Sequence, residues 1–395
     1  MAQSYIAHYV DASQALRKDK VPGIFSGKFS LSPYTACAHG CTYCDGRHER
    51  YNVTGDFEKD ITVRKNIIAL LEEELPKVRE KGYISVGSGI TDAYQPVEET
   101  EQLSRRCLKL LAAADHPVSL ITKSSRLLRD IDLCDAINKK NGFVLMISLM
   151  LLDDTKRAIF EPNASSVEER LHVIREFKQR GIAVGVLAMP FIPFITDSTD
   201  DVVSLYHSLK ELNVDFVWPG LMTLKAGRQK ELFLNVVHSH YPEKTAQIAA
   251  LYDNDDIYGI PRSEHTRRKY KEIHELLFSM TMPMRPPMDL TKDRFQLYDE
   301  VQIIMQDMAD MYSMRGTDIR PLVSSLKRYK DWLKEAKAPI ARRRTMSYDE
   351  LDIRLKTMIA EGSINDILKN EKLSVFLRSI FIEGKTFDYV TCRIR

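Results

Sequence analysis

Three cysteines stand within eight residues near the amino end of this 395-residue chain. Cys37, Cys41 and Cys44 have the spacing C-x3-C-x2-C, and Gly40 between them lets the backbone fold closely around a bound group. Thiolates are the ligands that soft metal centres prefer. A [4Fe–4S] cluster has four irons, so three cysteine ligands leave one iron open to a substrate or a second cofactor. The spacing therefore predicts a [4Fe–4S] cluster with one open iron.

Zinc is the alternative metal for these cysteines. A structural zinc ion usually has four ligands, often from paired C-x2-C units. His39 or His48 is a candidate fourth ligand, but no second cysteine pair lies nearby and the spacing is atypical of zinc. The other cysteines are scattered, and Cys107 and Cys134 fall in helical patterns where small buried side chains are expected. Cys392 stands near the carboxyl end. We therefore favour the iron cluster.

The composition is that of a globular protein. Lys and Arg number 57 against 55 Asp and Glu, a net charge of +2, and 44% of the residues are hydrophobic. These values exclude a disordered chain and give no global argument for a nucleic-acid partner. We find no apolar run of about 18 residues, which predicts no membrane contact. The first residues mix charged and apolar side chains, unlike a secretory signal, and the cysteines do not form a disulfide pattern, so we expect a cytoplasmic protein.

Short apolar runs alternate with longer helical patterns through the first half of the chain. The runs contain few charges, which is typical of strands buried on both faces, and they lie at 83–86, 118–122, 143–149, 183–188 and 216–218, with an earlier strand near 29–31. Helices are predicted over 61–81 and from Ser166, where Glu169 completes a capping box, to Arg180. Six such units imply a parallel sheet with right-handed crossovers, in either a partial barrel or a doubly wound sheet. In both folds the functional site lies at the carboxyl ends of the strands.

The alternation ends near residue 225. Residues 226–282 have helical patterns, 280–288 are rich in proline and methionine, and 289–395 are mostly helical in pattern. We predict four regions. They are an N-terminal segment (1–25), an α/β core (26–225), a helical extension with a connector (226–288) and a helical accessory region (289–395).

The segment 31–47 resembles the signature of the radical S-adenosylmethionine (radical SAM) superfamily, including the aromatic Tyr43 before the last cysteine. Other segments are similar to the spore photoproduct lyase-like branch, the group around a bacterial enzyme that repairs thymine photodimers in spore DNA. They are 89–98, 122–124, 161–162, 170–171, Pro190 and Pro193. The similarity covers about residues 25–225 and implies a partial (βα)6 TIM-type barrel with a helical C-terminal extension. Within it, we expect Glu161 and Arg170 to form an ion pair.

The resemblance also implies a cofactor and its contacts. In this family the open iron chelates SAM, and one electron cleaves SAM to methionine and a 5′-deoxyadenosyl radical that takes a hydrogen atom from the substrate. The positions that match cofactor contacts are Tyr43, Thr91, Asp92, Lys123, Ser148 and Met189. Thr91 and Asp92 match contacts to the SAM amine and Lys123 a contact to its carboxylate, while Ser148 is a candidate ribose or carboxylate contact and Met189 is placed to pack on adenine. A flavodoxin or ferredoxin is the usual reducing partner.

Two positions depart from the branch. In the DNA-repair enzyme a cysteine shortly before the position of Thr91 donates a hydrogen atom to the product, whereas this chain has Gly89 there and no cysteine between Cys44 and Cys107. Asp45 stands where many members have an aromatic residue. We therefore predict a radical SAM enzyme whose substrate is not the spore photodimer. The alternatives are a DNA-repair lyase acting on pyrimidine photolesions and a non-enzymatic iron–sulfur protein.

Two basic stretches make nucleic acid a candidate partner. Residues 262–271 hold five basic residues and one acidic residue, and 320–344 hold nine and two. Tyr270, Tyr329 and Trp332 lie among these charges, which suits phosphate contact with base stacking. The structural alternative is a pair of solvated helix faces.

Overall fold

The computed structural model describes residues 5–23, 25, 27–87, 89–253, 256–341 and 347–395. The strands are β1 (Ile6–Val10), β2 (Leu16–Gly23), β3 (Gly27–Leu31), β4 (Tyr34–Thr35), β5 (Asp60–Arg64), β6 (Ile84–Val86), β7 (Val118–Thr122), β8 (Phe143–Ser148), β9 (Ala183–Phe191), β10 (Phe216–Leu221), β11 (Phe387–Asp388) and β12 (Arg393–Ile394).

Helices follow most of the central strands and make up most of the second half of the chain. They are α1 (Ile67–Glu74), α2 (Glu98–Glu101), α3 (Leu103–Ala113), α4 (Ile131–Asn141), α5 (Asp154–Phe160), α6 (Val167–Gln179), α7 (Thr199–Glu211), α8 (Arg228–His240), α9 (Pro242–Leu251), α10 (Ser263–Ser279), α11 (Leu297–Met314), α12 (Arg320–Ala341), α13 (Tyr348–Glu361), α14 (Asn365–Leu368) and α15 (Glu371–Phe381). Among the described residues, no helix is both long and apolar enough to cross a membrane.

The main sheet confirms the predicted fold class. Strands β3, β6, β7, β8, β9 and β10 lie side by side in the order of the sequence and pair in parallel, while β2 pairs antiparallel with β3 at one edge. A doubly wound sheet would reverse its strand order at a switch point, and this sheet does not. The architecture is therefore α/β, a partial (βα)6 barrel of TIM type with a helical C-terminal region.

The strands are buried on both faces because helices cover the outside and large side chains fill the inside. Tyr83, Met146, Leu187 and Phe216 belong to the inner cluster. Phe216 lies opposite Gly185 on the neighbouring strand, and a Cβ atom at 185 would lie 2.1 Å from its ring. The strand β9 therefore needs glycine at this position to make room for the ring.

The C-terminal region closes the barrel at the amino ends of its strands. Phe295 and Ile303 belong to the same inner cluster as Tyr83. The ring centroids of Tyr83 and Phe295 are 5.5 Å apart, and the Tyr83 hydroxyl donates to the carbonyl of Leu290 at 2.7 Å. The helical region thus supplies part of the barrel core and leaves the opposite end, with the strand carboxyl ends, for a functional site.

One predicted element is wrong in part. The helix expected over 61–81 covers only Ile67–Glu74, because Asp60–Arg64 forms a strand that pairs with β1 and β4 in a small three-stranded sheet. Its buried and half-buried residues alternate, which is the period of a strand. The helix from Ser166 is confirmed with its capping box. The boundaries of the four predicted regions stay a prediction.

A buried ion cluster joins the barrel to the C-terminal helices. The Lys28 ammonium on β3 lies 2.5 Å from an Asp299 carboxylate oxygen on α11 and 3.1 Å from a Glu80 oxygen, and all three side chains are at most 4% exposed. We expect Lys28→Met to lower the free energy of unfolding by about 3 kcal/mol, because Asp299 stays buried without its partner. Urea denaturation measures this loss. The exposed Lys77→Met is the control and is expected to change stability by less than about 0.5 kcal/mol; equal effects would contradict the role of the cluster.

Candidate functional site

A cavity of about 340 Å³ opens at the carboxyl ends of the barrel strands. It lies between the loop that carries the cysteine motif and the ends of β6 to β10. The nine residues predicted from the sequence all line it, namely Cys37, Cys41, Tyr43, Cys44, Thr91, Asp92, Lys123, Ser148 and Met189. They come from five separate segments of the chain, so the fold brings together residues that the sequence holds more than a hundred positions apart.

The cysteine loop is held in shape by its own backbone and by Arg47. Gly40 has φ +67°, a conformation that favours glycine, and its amide donates to the carbonyl of Cys37 at 3.2 Å. The amide of Cys44 donates to the carbonyl of Cys41 at 3.3 Å. The buried Arg47 guanidinium donates to the carbonyls of Cys41 and Gly40, each at 2.9 Å. These bonds turn the loop so that all three thiols face one cavity.

The three thiols are costly to ionise without a positive partner. Burial raises the pKa of Cys41 to about 12 and also raises the pKa values of Cys37 and Cys44. Within the described residues, no three His, Cys, Asp or Glu side chains gather closely enough to hold a single metal ion. Three soft sulfur donors on one loop, facing one cavity, fit an iron–sulfur cluster by their chemistry.

His39 lies between two of these cysteines and also lines the cavity. It is 1% exposed, its Nδ1 lies 3.5 Å from an Asp92 oxygen, and its Nε2 has no hydrogen-bond partner among the described residues. Burial lowers its pKa to about 4, so the imidazole is neutral at physiological pH. The sequence singled out His39 only as a possible zinc ligand, whereas the structure places it as a polar group of the cavity.

The tip of β6 is tied to the cysteine loop and to the next strand. The Thr91 hydroxyl donates to the carbonyl of Ala36 at 2.6 Å. The Asp92 carboxylate accepts from the Thr122 hydroxyl at 2.7 Å and from the amide of Lys123 at 2.8 Å. Asp92 also accepts from the amide of Tyr94, in the turn that precedes α2. The two side chains thus brace the cavity wall that they line.

Lys123 brings a positive charge to this cavity. Its ammonium makes no hydrogen bond or ion pair with any residue in the described part of the chain, and it lies 6.0 Å from the centroid of the Tyr43 ring. Although burial opposes the charged form, Cys41 and Glu161 raise the pKa of Lys123 above its usual value. The ammonium is therefore charged and available to an anion in the cavity.

A buried network supports the floor around Tyr43. The Tyr43 hydroxyl donates to Glu161, and Glu161 pairs with the guanidinium of Arg170, as the sequence predicted. Arg170 also donates to the carbonyl of Ser148 at 2.9 Å. The side chains of Glu161 and Arg170 are each 1% exposed, so the pair is shielded from water. It fixes the ring of Tyr43 relative to the end of β8.

Comparison with known proteins agrees with this arrangement. A family model described as the radical SAM superfamily matches residues 31–206, which include the cysteine loop and the strands β6 to β9. Residues 31–206 are a radical SAM domain. This confirms the resemblance to the radical SAM superfamily that the segment 31–47 indicated.

Matches to individual proteins cover more of the chain than residues 31–206. An uncharacterized protein of Mycobacterium tuberculosis is 26% identical over 251 residues, which cover 62% of this chain and 73% of that protein. An uncharacterized protein of Methanocaldococcus jannaschii is 25% identical over 238 residues, 59% of this chain and 83% of that protein. Spore photoproduct lyase complexed with dinucleoside spore photoproduct is similar in structure, with a TM-score of 0.50 and 14% identity over 69% of this chain and 79% of that one. That likeness is one of fold.

Asp45 fastens the radical SAM domain to the segment that follows β10. Its carboxylate accepts from the Thr223 hydroxyl at 2.9 Å, from the Lys225 ammonium at 2.5 Å and from the Gln229 amide at 3.1 Å. Lys225 and Gln229 are 4% and 0% exposed. No local sequence pattern indicates these three residues, because they follow Asp45 by about 180 positions.

The scattered cysteines do not line the cavity that the three motif cysteines face. Cys107 on α3 and Cys134 on α4 are 0% exposed within the outer core, and Cys392 is half-buried near the carboxyl end. In the part of the chain that the structure describes, the cavity is lined by no cysteine besides the three of the motif. The fold therefore brings none of Cys107, Cys134 and Cys392 to this cavity.

The basic stretch 320–344 is only partly available to a partner. Tyr329 is 0% exposed and its hydroxyl donates to the carbonyl of Tyr298 at 2.8 Å, so its predicted stacking role is wrong. It lies on the face of α12 that packs against α11. Lys337 on the same helix pairs with Glu80 at 3.0 Å. Residues 342–344, which hold three of the nine basic residues, lie outside the described residues.

The pair Glu161–Arg170 gives a test of the cavity floor. Although burial opposes ionisation, Arg170 and Lys123 hold the pKa of Glu161 below its usual 4.5. We expect Glu161→Gln to lower the free energy of unfolding by about 3 kcal/mol at about pH 7, because Arg170 is left buried and unpaired. The lowered pKa stabilises the fold above the unfolded value, and this contribution is lost as the pH falls through the folded pKa. The difference between wild type and variant should therefore shrink below pH 4.5.

Urea denaturation across this pH range measures the effect. Glu168→Gln is the matched control, since the Glu168 side chain is 73% exposed and pairs with Arg175 on the surface. Its change should stay below about 0.5 kcal/mol. A pH-independent difference for Glu161→Gln would contradict a charged Glu161.

Proposed function

We propose that this protein is a radical SAM enzyme that binds a [4Fe–4S] cluster through Cys37, Cys41 and Cys44 and cleaves S-adenosylmethionine reductively. The observation that carries the proposal is the convergence, within a radical SAM domain, of these three thiols with the predicted SAM contacts on one cavity. The chemistry that the cluster and SAM would supply there is one-electron reductive cleavage of the sulfonium and abstraction of a hydrogen atom from the substrate.

The chain's own residues would bind and orient the cofactor. The Lys123 ammonium, which is charged and unpaired in the cavity, would hold the carboxylate of the methionine part. The side-chain oxygens of Thr91 and Asp92 would accept hydrogen bonds from the amine of the methionine part, through lone pairs that their present hydrogen bonds leave free. Ser148 would contact the ribose or the carboxylate. Because the side chains of Thr91 and Asp92 are already held by hydrogen bonds, little ordering of these two groups is needed when SAM binds.

The remaining wall of the cavity would keep water from the radical. Ile121, Leu187, Met189 and Met222 line it with apolar side chains. Met189 stands at the end of β9, where it would pack on adenine. An apolar wall around a reactive intermediate prevents side reactions with solvent. Polar side chains line other parts of the cavity, and four of them, Thr91, Asp92, Lys123 and Ser148, are the proposed SAM contacts. We therefore propose that substrate specificity lies at the rim of the cavity.

The proposed substrate is not a spore photodimer. The cavity offers no fourth cysteine among its described lining residues, so the hydrogen donor of the DNA-repair enzyme has no counterpart there. The chemistry also needs an external electron, and we propose a small one-electron donor of the flavodoxin or ferredoxin type. Residues 31–206 are of the radical SAM family, whose members act as enzymes, which disfavours a passive iron–sulfur protein.

The cluster assignment has a direct test. Anaerobic reconstitution should give about four irons per chain, and dithionite should then release 5′-deoxyadenosine from SAM. Cys41→Ala should abolish this cleavage while the circular dichroism of the helical region stays unchanged, because the thiol is a ligand and the loop lies outside the helices. Cys107→Ala removes a buried thiol far from the cavity and is the matched control. One zinc per chain without SAM cleavage, or retained cleavage in Cys41→Ala, would contradict the proposal.

Lys123 tests the cofactor contacts separately from the cluster. We expect Lys123→Met to raise the SAM dissociation constant roughly tenfold or more, since a charge-assisted hydrogen bond is lost, while the iron content stays unchanged. Equilibrium binding of SAM to the reconstituted protein measures the first quantity and iron analysis the second. Lys139→Met, at a side chain that is 74% exposed, is the control. Unchanged SAM affinity would show that Lys123 serves only the cavity wall.

A further inference from the structure

A second cavity, of about 470 Å³, lies beside the small sheet. Arg17 from β2 and Arg64 from β5 line it, together with Thr35 and Thr62. Ile90, in the loop after β6, lines both this cavity and the one that faces the cysteines. The second cavity is therefore a neighbour of the candidate cofactor site, but its polar lining comes from different elements.

Three of these polar side chains share one face of the small sheet. Strands β4 and β5 pair antiparallel, with Thr35 opposite Thr62. Side chains two residues apart on a strand point the same way, so Arg64 lies on the same face as Thr62. The guanidinium and the two hydroxyls thus converge from neighbouring positions on a rigid element.

These groups have no partners within the protein. The Arg64 guanidinium and the hydroxyls of Thr35 and Thr62 make no hydrogen bond or ion pair to any residue in the ranges that the structure describes. Burial and the nearby Arg17 lower the pKa of Arg64 below its usual value. A half-buried cation beside a second cation is unfavourable unless an anion joins them. Such an arrangement is expected of a ligand site rather than of a structural core.

The other charged side chains around the cavity do not neutralise Arg64. Arg17 reaches Asp19 only at 3.4 Å, and its side chain is 69% exposed. Asp11 also lines the cavity, but its carboxylate pairs with the ammonium of Lys65 at 3.2 Å. Its charge is thereby offset, and the charge of Arg64 is not.

We propose that this cavity binds the phosphate group of an organic phosphate, independently of the proposed SAM chemistry. Two guanidinium groups and two hydroxyls present more donors than a carboxylate can accept, whereas a phosphate has three or four acceptor oxygens and matches the guanidinium fork. The volume suits a group as large as one nucleotide. The phosphate comes either from a small-molecule monoester or from a nucleic-acid backbone.

The test uses the full-length chain and inorganic phosphate as the first probe. Phosphorus NMR and calorimetry at low ionic strength should show saturable binding. Arg64→Gln should weaken it roughly tenfold or more, because a charge-assisted contact is lost. Thr62→Val keeps the shape and strand preference of the residue and should weaken phosphate binding by a smaller factor. This second variant tests the site even if Arg64→Gln folds poorly. Arg175→Gln, at a surface arginine on α6, is the matched control and should bind phosphate as the wild type does.

Two competitors then distinguish the sources of the phosphate. Displacement of inorganic phosphate by adenosine monophosphate identifies a monoester ligand, and displacement by a short thymidine oligonucleotide without a terminal phosphate identifies a backbone phosphodiester. The proposal is overturned by equal phosphate affinity in wild type and Arg64→Gln, by the absence of saturable binding, or by failure of both competitors. Because none of these measurements needs the cluster or SAM, they remain informative if the radical chemistry proves wrong.

Discussion

The cost of burying charge around the cysteine cavity is the constraint on which the site depends. Three thiols that resist ionisation lie beside a charged lysine and near the buried pair Glu161–Arg170. In a low dielectric the ammonium, the carboxylate, the guanidinium and any thiolate that forms each need a compensating charge. The carboxylate of Glu161 serves both Arg170 and, at longer range, Lys123. The proposed cofactors would complete the balance, since an iron–sulfur cluster accepts three thiolates and SAM carries a carboxylate.

The scaffold meets this constraint by placing rigid elements at both ends of the barrel. At the amino ends of the strands, Phe295 and the ion cluster of Lys28 and Asp299 attach the C-terminal helices, so the accessory region is part of the core that holds the strands in register. At the carboxyl ends, Asp92 after β6 accepts hydrogen bonds from Thr122 and Lys123 at the end of β7. Movement of one strand relative to the next would break these bonds, and the cavity wall is accordingly well defined.

Much of this was predictable from the sequence, and the remainder has identifiable physical reasons. Strands such as 118–122 were predictable because burial on both faces leaves a continuous apolar run. The strand Asp60–Arg64 was not, since its short alternation merges into the helical pattern that follows it. The cavity residues that match a known motif were found. The contact of Gln229 with Asp45 was not predictable, because a contact between residues far apart in sequence leaves no local pattern. The stacking role predicted for Tyr329 was wrong, because charged residues around an aromatic side chain do not reveal which helix face is buried.

Asp45, which departs from the family pattern, joins the cysteine loop to the segment after β10. A carboxylate shielded from water is costly without partners, and here it accepts hydrogen bonds from three groups in the segment after β10. The cysteine loop is therefore held from within by Arg47, from β6 by Thr91 and from beyond β10 by this carboxylate. Because the last of these attachments comes from outside residues 31–206, the segment after β10 helps to set the geometry of the radical SAM domain, and Met222 and Thr223 of this segment also line the cavity.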